Sequence, residues 1–148
     1  MDRAIRIQPF HPRNIGRIAA IERASFGDEA WDRKLLLDYF LDAPELFLIT
    51  KSGRRITGYI LTVARLRTAE IVSIAVDPCN RKRGIGTAML DATRVKLRSR
   101  GIKTCWLMVC VTNQAAIRFY KQYGFTRVRL VPDYYSSGQD AWRMRLSV

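Results

Sequence analysis

The sequence predicts an α/β (α+β) chain: a mixed sheet of about seven strands with helices on both faces. Three observations predict it. Apolar residues switch between a two-residue and a 3.6-residue period in the order βααβββαβαββ. The middle of the chain runs strand, glycine turn, helix, strand, and such a βαβ unit joins two parallel strands. The composition, 48% hydrophobic and 26% charged, is that of a globular chain. At 148 residues, a single domain over 1–148 buries an ordinary core without staples.

Ala4–Pro9 alternates in the pattern of an edge strand. Pro12-Arg13-Asn14 starts a helix that runs to about Ala24 and sets Ile15, Ile18, Ala19, Ile21 and Ala24 on one face. Ser25–Ala30 is a break around Gly27. Asp32 caps a second helix, which carries Leu35, Leu36, Tyr39 and Phe40 to about Leu41 and stops before Pro44. Leu46–Lys51 and Arg55–Leu66 are strands joined at Ser52-Gly53, the second broken or twisted near Gly58. Glu70–Val76 is almost continuously apolar and is expected to be buried and central. A helix from Gly84 to about Arg100, ended by Gly101, and a strand from Thr104 to Val111 complete the crossover. Asn113–Tyr123 is a helix closed by Gly124, and Phe125–Val131 and Ala141–Leu146 are the last strands.

Between the central strand and its helix lies Asp77-Pro-Cys-Asn-Arg-Lys-Arg-Gly-Ile-Gly-Thr-Ala88. The first N–H groups of a helix have no internal partner, and the helix dipole adds partial positive charge there. Gly84 and Gly86 carry no Cβ to hold a ligand away, and Arg81, Lys82 and Arg83 add full charges. Such a turn suits a pyrophosphate. Two familiar phosphate loops are excluded. A Walker A loop needs Lys-Ser/Thr after its last glycine, where Thr87-Ala88 stands. A dinucleotide fingerprint needs a third glycine where Met89 stands, and an acidic residue further on, but Lys103–Cys110 has none. The pattern that survives is Arg/Gln-x-x-Gly-x-Gly/Ala, met by Arg81, Gly84 and Gly86.

Net charge is +13, from 26 basic and 13 acidic residues. It favours anionic partners: a polyphosphate cofactor, an acidic peptide or RNA. The charges are scattered rather than blocked, so most of them form a solvated surface. No apolar run approaches the roughly 18 residues of a membrane span, and Met1-Asp2-Arg3-Ala4 lacks the apolar core of a leader. Cys79, Cys105 and Cys110 are odd in number and not spaced as a zinc site, and His11 is the single histidine. Reduced thiols in a cytoplasmic protein, with no metal and no membrane contact, are the expectation.

A second segment is more selective. Asn113-x-x-Ala116-x-x-x-Tyr120-x-x-x-Gly124-Phe125 combines a polar helix start, small residues in the first turn and a glycine C-cap, with Ile117, Phe119 and Phe125 as core. With the glycine turn and the element order, it makes the chain resemble the GCN5-related N-acetyltransferases (the GNAT superfamily) over nearly its whole length. The resemblance implies a mostly antiparallel, twisted GNAT sheet, acetyl-CoA as cosubstrate and direct acetyl transfer to an amine. It assigns the pyrophosphate to Arg81, Lys82, Arg83, Gly84, Ile85, Gly86 and Thr87. The pantetheine arm falls along Ile74, Ala75 and Val76 and on Asn113 and Ala116, and an N–H of Ile74 or Ala75 polarises the thioester carbonyl. Tyr120 is the implied general acid, a phenol of pKa about 10 against a thiol of about 8.5. RimI-like enzymes, which acetylate a ribosomal-protein alanine, carry a glutamate base five residues before the motif Asn. Here that position is Met108. Glu70, at the start of the central strand, is the substitute base, with Glu22 and water as further acceptors for a terminal amine of pKa about 8.

The implied acceptor is a protein N-terminus, such as that of a ribosomal protein. Gly27–Trp31 matches the acceptor loop of N-terminal acetyltransferases, with Phe26 and Trp31 shaping a pocket. Tyr134-Tyr135-Ser136-Ser137-Gly138-Gln139-Asp140-Ala141 resembles a Tyr-Tyr-x-x-Gly-Glu-Asp-Ala hairpin whose tyrosines contact the bound peptide, with Gln139 in place of the Glu. The alternatives are a small amine or lysine side chain as acceptor, and a non-catalytic basic module in which Trp106, Tyr134 and Trp142 stack on RNA bases. No recognised RNA motif accompanies them, so nucleic acid is the lesser expectation.

Overall fold

The computed structural model describes residues 4–148; Met1–Arg3, part of the stretch scanned for a leader, lie outside the described residues. The elements follow the expected order: β1 (Arg6–Pro9), α1 (Ile15–Phe26), α2 (Arg33–Asp42), β2 (Phe47–Ser52), β3 (Arg55–Arg65), β4 (Thr68–Val76), α3 (Ile85–Ser99), β5 (Thr104–Cys110), α4 (Gln114–Tyr123), β6 (Thr126–Val131) and β7 (Ala141–Ser147). The strands form one sheet in the order β1-β2-β3-β4-β5-β7-β6. Every neighbouring pair is antiparallel except β4 and β5, the two strands of the crossover.

Two apolar cores sandwich this sheet. One packs Ile18 and Ile21 of α1 and Leu36 of α2 on Phe47, Ile49, Tyr59 and Leu61. The other packs Met89, Leu90 and Leu97 of α3 and Ile117 and Tyr120 of α4 on alternate residues of β2 to β5 and β7. The strand period of two separates the faces: Cys105, Leu107 and Val109 point to the α3/α4 core, and Trp106 and Met108 point away from it. Side chains set the helix starts as expected. Asp32 accepts the Leu35 N–H at 2.9 Å, and Asn113 accepts the Ala116 N–H at 3.2 Å.

Two strands differ from the sequence reading. β4 starts at Thr68, before Glu70, because Leu66 takes φ 54° and lets Arg65 pair with Thr68 across a two-residue turn that has no glycine. β1 starts at Arg6 rather than Ala4, where its ladder with β2 begins opposite Lys51. The break expected near Gly58 is a bulge: Gly58 pairs with Thr50 and Ile56 with Lys51, leaving Thr57 as the extra residue. Gly58 itself is dictated by crowding. A Cβ there would lie 3.0 Å from the Ala75 carbonyl oxygen and 3.1 Å from Thr50 Oγ1. Gly58→Ala is therefore expected to destabilise the fold by about 1–3 kcal/mol, read as a lower denaturation midpoint at unchanged slope.

Candidate active site

The site begins where two parallel strands part. β4 and β5 pair over only four residues each, Thr68–Ile71 against Thr104–Leu107, although both continue further. From Val72 to Val76 the slot side of β4 has no ladder bonds to β5. A bulge marks the same point: Thr62 pairs with Ile71 and Leu61 with Ser73, so Val72 is the extra residue. Beyond the bulge, Ile74 and Val76 pack on the α3/α4 core and Ala75 joins the α1/α2 core. The three residues singled out in this strand therefore lie on its stretch without β5 partners.

At the C-terminal end of β4 the chain enters the basic turn, and Asp77 holds it there. Its carboxylate accepts Arg17 Nη2 at 2.6 Å, Arg55 Nη2 at 3.3 Å, Asn80 Nδ2 at 3.1 Å and the Cys79 N–H at 3.4 Å. Burial pulls its pKa up, but Arg17, the Cys79 N–H and Arg55 outweigh that and hold it below the ordinary carboxylate value. Lys82 and Gly84 then take left-handed φ values of 63° and 80°, and Gly84 is the N-cap of α3, with no side chain capping the helix. The N–H groups of Ile85, Gly86 and Thr87 are thus left for an external acceptor. Lys82, Arg83 and Gly84 are exposed around them. A cavity of about 820 Å³ opens beside the turn, lined by Lys51, Arg55, Asn80, Lys82, Arg83 and Ile85. The turn fits an anion with several oxygens.

Two residues of this turn differ from expectation. The Arg81 guanidinium folds back onto the Val76 carbonyl at 3.3 Å and Ser25 Oγ at 3.4 Å. Gly86 owes its identity to packing: a Cβ there would sit 2.9 Å from Cζ of Phe119. The left-handed φ of 80° explains Gly84, while helix contact explains Gly86.

Three tyrosines, one on α4 and two on the β6–β7 hairpin, stand near one another. Tyr120, 8% exposed, packs its ring against Phe119 and Phe125 at 5.4 and 5.6 Å. Burial first, and then Tyr135, push its phenol above the ordinary range. It therefore stays protonated at neutral pH and can donate a hydrogen bond to a developing negative charge. The β6–β7 hairpin brings up Tyr134 and Tyr135 with rings 4.9 Å apart and perpendicular. Burial raises the pKa of Tyr134, with smaller contributions from neighbouring Glu70 and Tyr39. Glu70 and Tyr134 thus share the mouth of the slot, on the face opposite α3 and α4, and Glu70 is only half-buried.

Tight contacts fix this mouth, and the sequence carried little sign of them. Glu29, in the turn between α1 and α2, accepts Ser136 Oγ at 2.7 Å and the Ser137 N–H at 3.0 Å, tying the Gly27–Trp31 loop to the hairpin. Trp31 stacks on Tyr39 at 5.0 Å, and its backbone N–H donates to Glu22 Oε2 at 3.1 Å. Phe26, at the end of α1, is 37% exposed. Glu22 is only 2% exposed and also accepts Ser73 Oγ at 2.7 Å and the Tyr59 hydroxyl. Both of its oxygens are engaged, so it anchors the loop to the central strands rather than standing free as a base. Asp77 did leave a trace in the sequence, an Asp-Pro turn signal; Glu29, whose partners lie 107 and 108 residues away, left none.

Residues 15–125 match the model of the Acetyltransferase (GNAT) family. The chain belongs to this family. The GNAT chain is 35% identical over 89 residues to the ribosomal protein bS18-alanine N-acetyltransferase of Escherichia coli, a match that spans 60% of each chain. An N-alpha-acetyltransferase of Sulfurisphaera tokodaii is 28% identical over 152 residues, covering 94% of this chain and 90% of that protein. The crystal structure of Ard1 from Thermoplasma volcanium superposes with a TM-score of 0.94 at 32% identity, covering 98% of both chains.

Gly84→Glu is expected to weaken acetyl-CoA binding at least tenfold by calorimetry, through reversed charge at the helix start. Gly84→Ala carries the same left-handed strain, about 1–2 kcal/mol, and serves as the reference that separates strain from charge.

Proposed function

We propose that this GNAT chain transfers the acetyl group of acetyl-CoA to the α-amine of a polypeptide, by direct attack of the amine on the thioester. The observation that carries this reading is the slot between β4 and β5, with a basic helix start after β4 and a tyrosine cluster on α4 and the β6–β7 hairpin. The family match supports acetyl transfer. The resemblance to proteins named for alanine N- and N-alpha-acetylation supports a polypeptide α-amine as acceptor, a ribosomal protein among the candidates.

In this scheme the N–H groups of Ile85, Gly86 and Thr87, with Lys82 and Arg83, hold the pyrophosphate. Ile74, Ala75, Val76, Asn113 and Ala116 flank the pantetheine arm, and a free N–H of β4 stabilises the carbonyl oxygen as charge develops. Asn113 already caps α4 through its oxygen, which leaves its amide NH2 for the arm. Phe26, Trp31, Tyr134 and Tyr135 shape the acceptor pocket. The ammonium gives one proton to Glu70, the neutral nitrogen bonds to the acetyl carbon, and as the C–S bond breaks the second nitrogen-bound proton passes to the departing thiolate. Tyr120 then donates to the departing sulfur. Because burial raises its pKa, Tyr120 acts chiefly as a hydrogen-bond donor, and full proton delivery to the thiolate is uphill. The three cysteines stand as free thiols, in keeping with a reducing compartment such as the cytoplasm. Among the described residues no helix is long and apolar enough to cross a membrane.

The deciding experiment incubates acetyl-CoA with peptides bearing a free α-amine and no lysine, beside polyamines and α-blocked lysine peptides, and weighs the products. A mass gain confined to the free α-amine peptides is expected; acetylated lysine or polyamine alone would end the reading. Glu70→Gln and Tyr120→Phe should each lower kcat at least tenfold with little change in acetyl-CoA affinity. Wild-type kcat in either variant removes that residue from the chemistry.

A further inference from the structure

Apart from Glu70 at its edge, one surface plays no part in the scheme above. No residue of β5, β6 or β7 joins the α1/α2 core among the described residues, so these strands carry no helix on that face. Two rows of side chains cross it. Glu70, Trp106, Arg145 and Thr126 form one, and Met108, Arg143 and Arg129 form the next. Arg143 lies 4.2 Å from the Trp106 ring centre and Arg145 lies 5.9 Å from it. Among the described residues none of the ion pairs includes Arg129, Arg143 or Arg145. Two arginines thus stack on an aromatic platform, a third, Arg129, lies across the strand from Arg143, and Glu70 is the one carboxylate in the two rows. A guanidinium over an indole keeps its in-plane N–H donors free for a second, anionic partner.

This patch is continuous with the acceptor mouth, because Glu70 shares a row with Trp106 and Arg145, and Tyr134 feels the charges of both Glu70 and Arg143. From β4, where the slot opens, to β6 is three strand spacings, about 14 Å. An extended polypeptide covers that distance in about four residues. A chain whose α-amine sits in the slot can therefore leave across Trp106 and reach the arginines with its next few side chains.

Resting on the polypeptide-acceptor reading, we infer that the bare β5–β7–β6 face binds the acceptor's own downstream segment and selects chains with acidic residues at about positions three to six. Recognition runs through Arg129, Arg143 and Arg145, and it tunes acceptor choice without touching the chemistry.

The test compares two peptides that share their first two residues, one carrying Asp and Glu at positions three to six and the other Asn and Gln. At low salt the wild-type protein is expected to acetylate the acidic peptide with kcat/KM about tenfold higher or more, a preference that shrinks as salt screens the pairing. The charge-reversed variant R129E/R145E should lose or invert the preference while acetylating the neutral peptide as before. Equal kcat/KM for the two peptides in wild type, or a preference surviving in R129E/R145E, overturns the inference. So does a single-stranded RNA whose binding R129E/R145E abolishes while the peptide preference stays intact, since the face would then serve nucleic acid. If neither peptide is acetylated, the proposed function fails, and anisotropy of the two labelled peptides still decides here. Tighter binding of the acidic one, lost in R129E/R145E, supports the surface; equal binding overturns it.

Discussion

The structure turns on a withheld hydrogen-bond ladder. β4 and β5 start as ordinary parallel neighbours and then separate, leaving half of β4 unpaired on one side. Buried backbone groups that lack partners are costly, so a sheet that opens in its middle needs strong support elsewhere. That support comes from β3, which stays paired with β4 from Arg65–Thr68 to Gly58–Val76, and from β7, which pairs with all of β5. Each half of the sheet is therefore complete in itself, and the gap between them is a stable architectural feature.

Four carboxylates around that gap divide into two kinds by exposure. Asp77 and Glu22 are buried, at 6% and 2%, and each gathers several donors. A hydrogen bond to a charged group is worth about 1.5–3 kcal/mol, and leaving such a group buried without its partner costs about 3–5 kcal/mol. Both residues therefore act as rivets, Asp77 for the basic turn and Glu22 for the loop ending at Trp31. Glu29 and Glu70 are more exposed. Glu29 clasps the hairpin, and Glu70 stands beside Tyr134 near the point where β4 and β5 part.

Much of this was legible in the chain. Asp32 and Asn113 announced their helices, Gly101 and Gly124 ended theirs, and the apolar run before Val76 marked the central strand. The anion turn was legible because its need for a left-handed glycine and for cations is local. What stayed hidden depends on distant partners or on silent backbone choices. Leu66 turns without glycine, and the extra residue Val72 looks like any other strand valine. Arg81 folds back onto Val76 instead of reaching outward. The stack of Arg143 on Trp106 depends on register between strands far apart in sequence. Glu22 looked like a possible base because a single helix gives no clue that Tyr59, Ser73 and the Trp31 N–H converge on it.

The close crossing at Gly86 has a mechanical outcome. Phe119 fills the space where a methyl would stand on α3, so the two helices cannot slip past one another without opening a void in a tightly filled interior. One helix begins at the charged turn, and the other bears Tyr120. In the proposed scheme these are the two grips on the carrier, and their spacing is set like the jaws of a gauge. A carrier whose arm was shorter or longer than pantetheine would seat at one jaw and miss the other. Discrimination by arm length then resides in a glycine that the carrier need never touch.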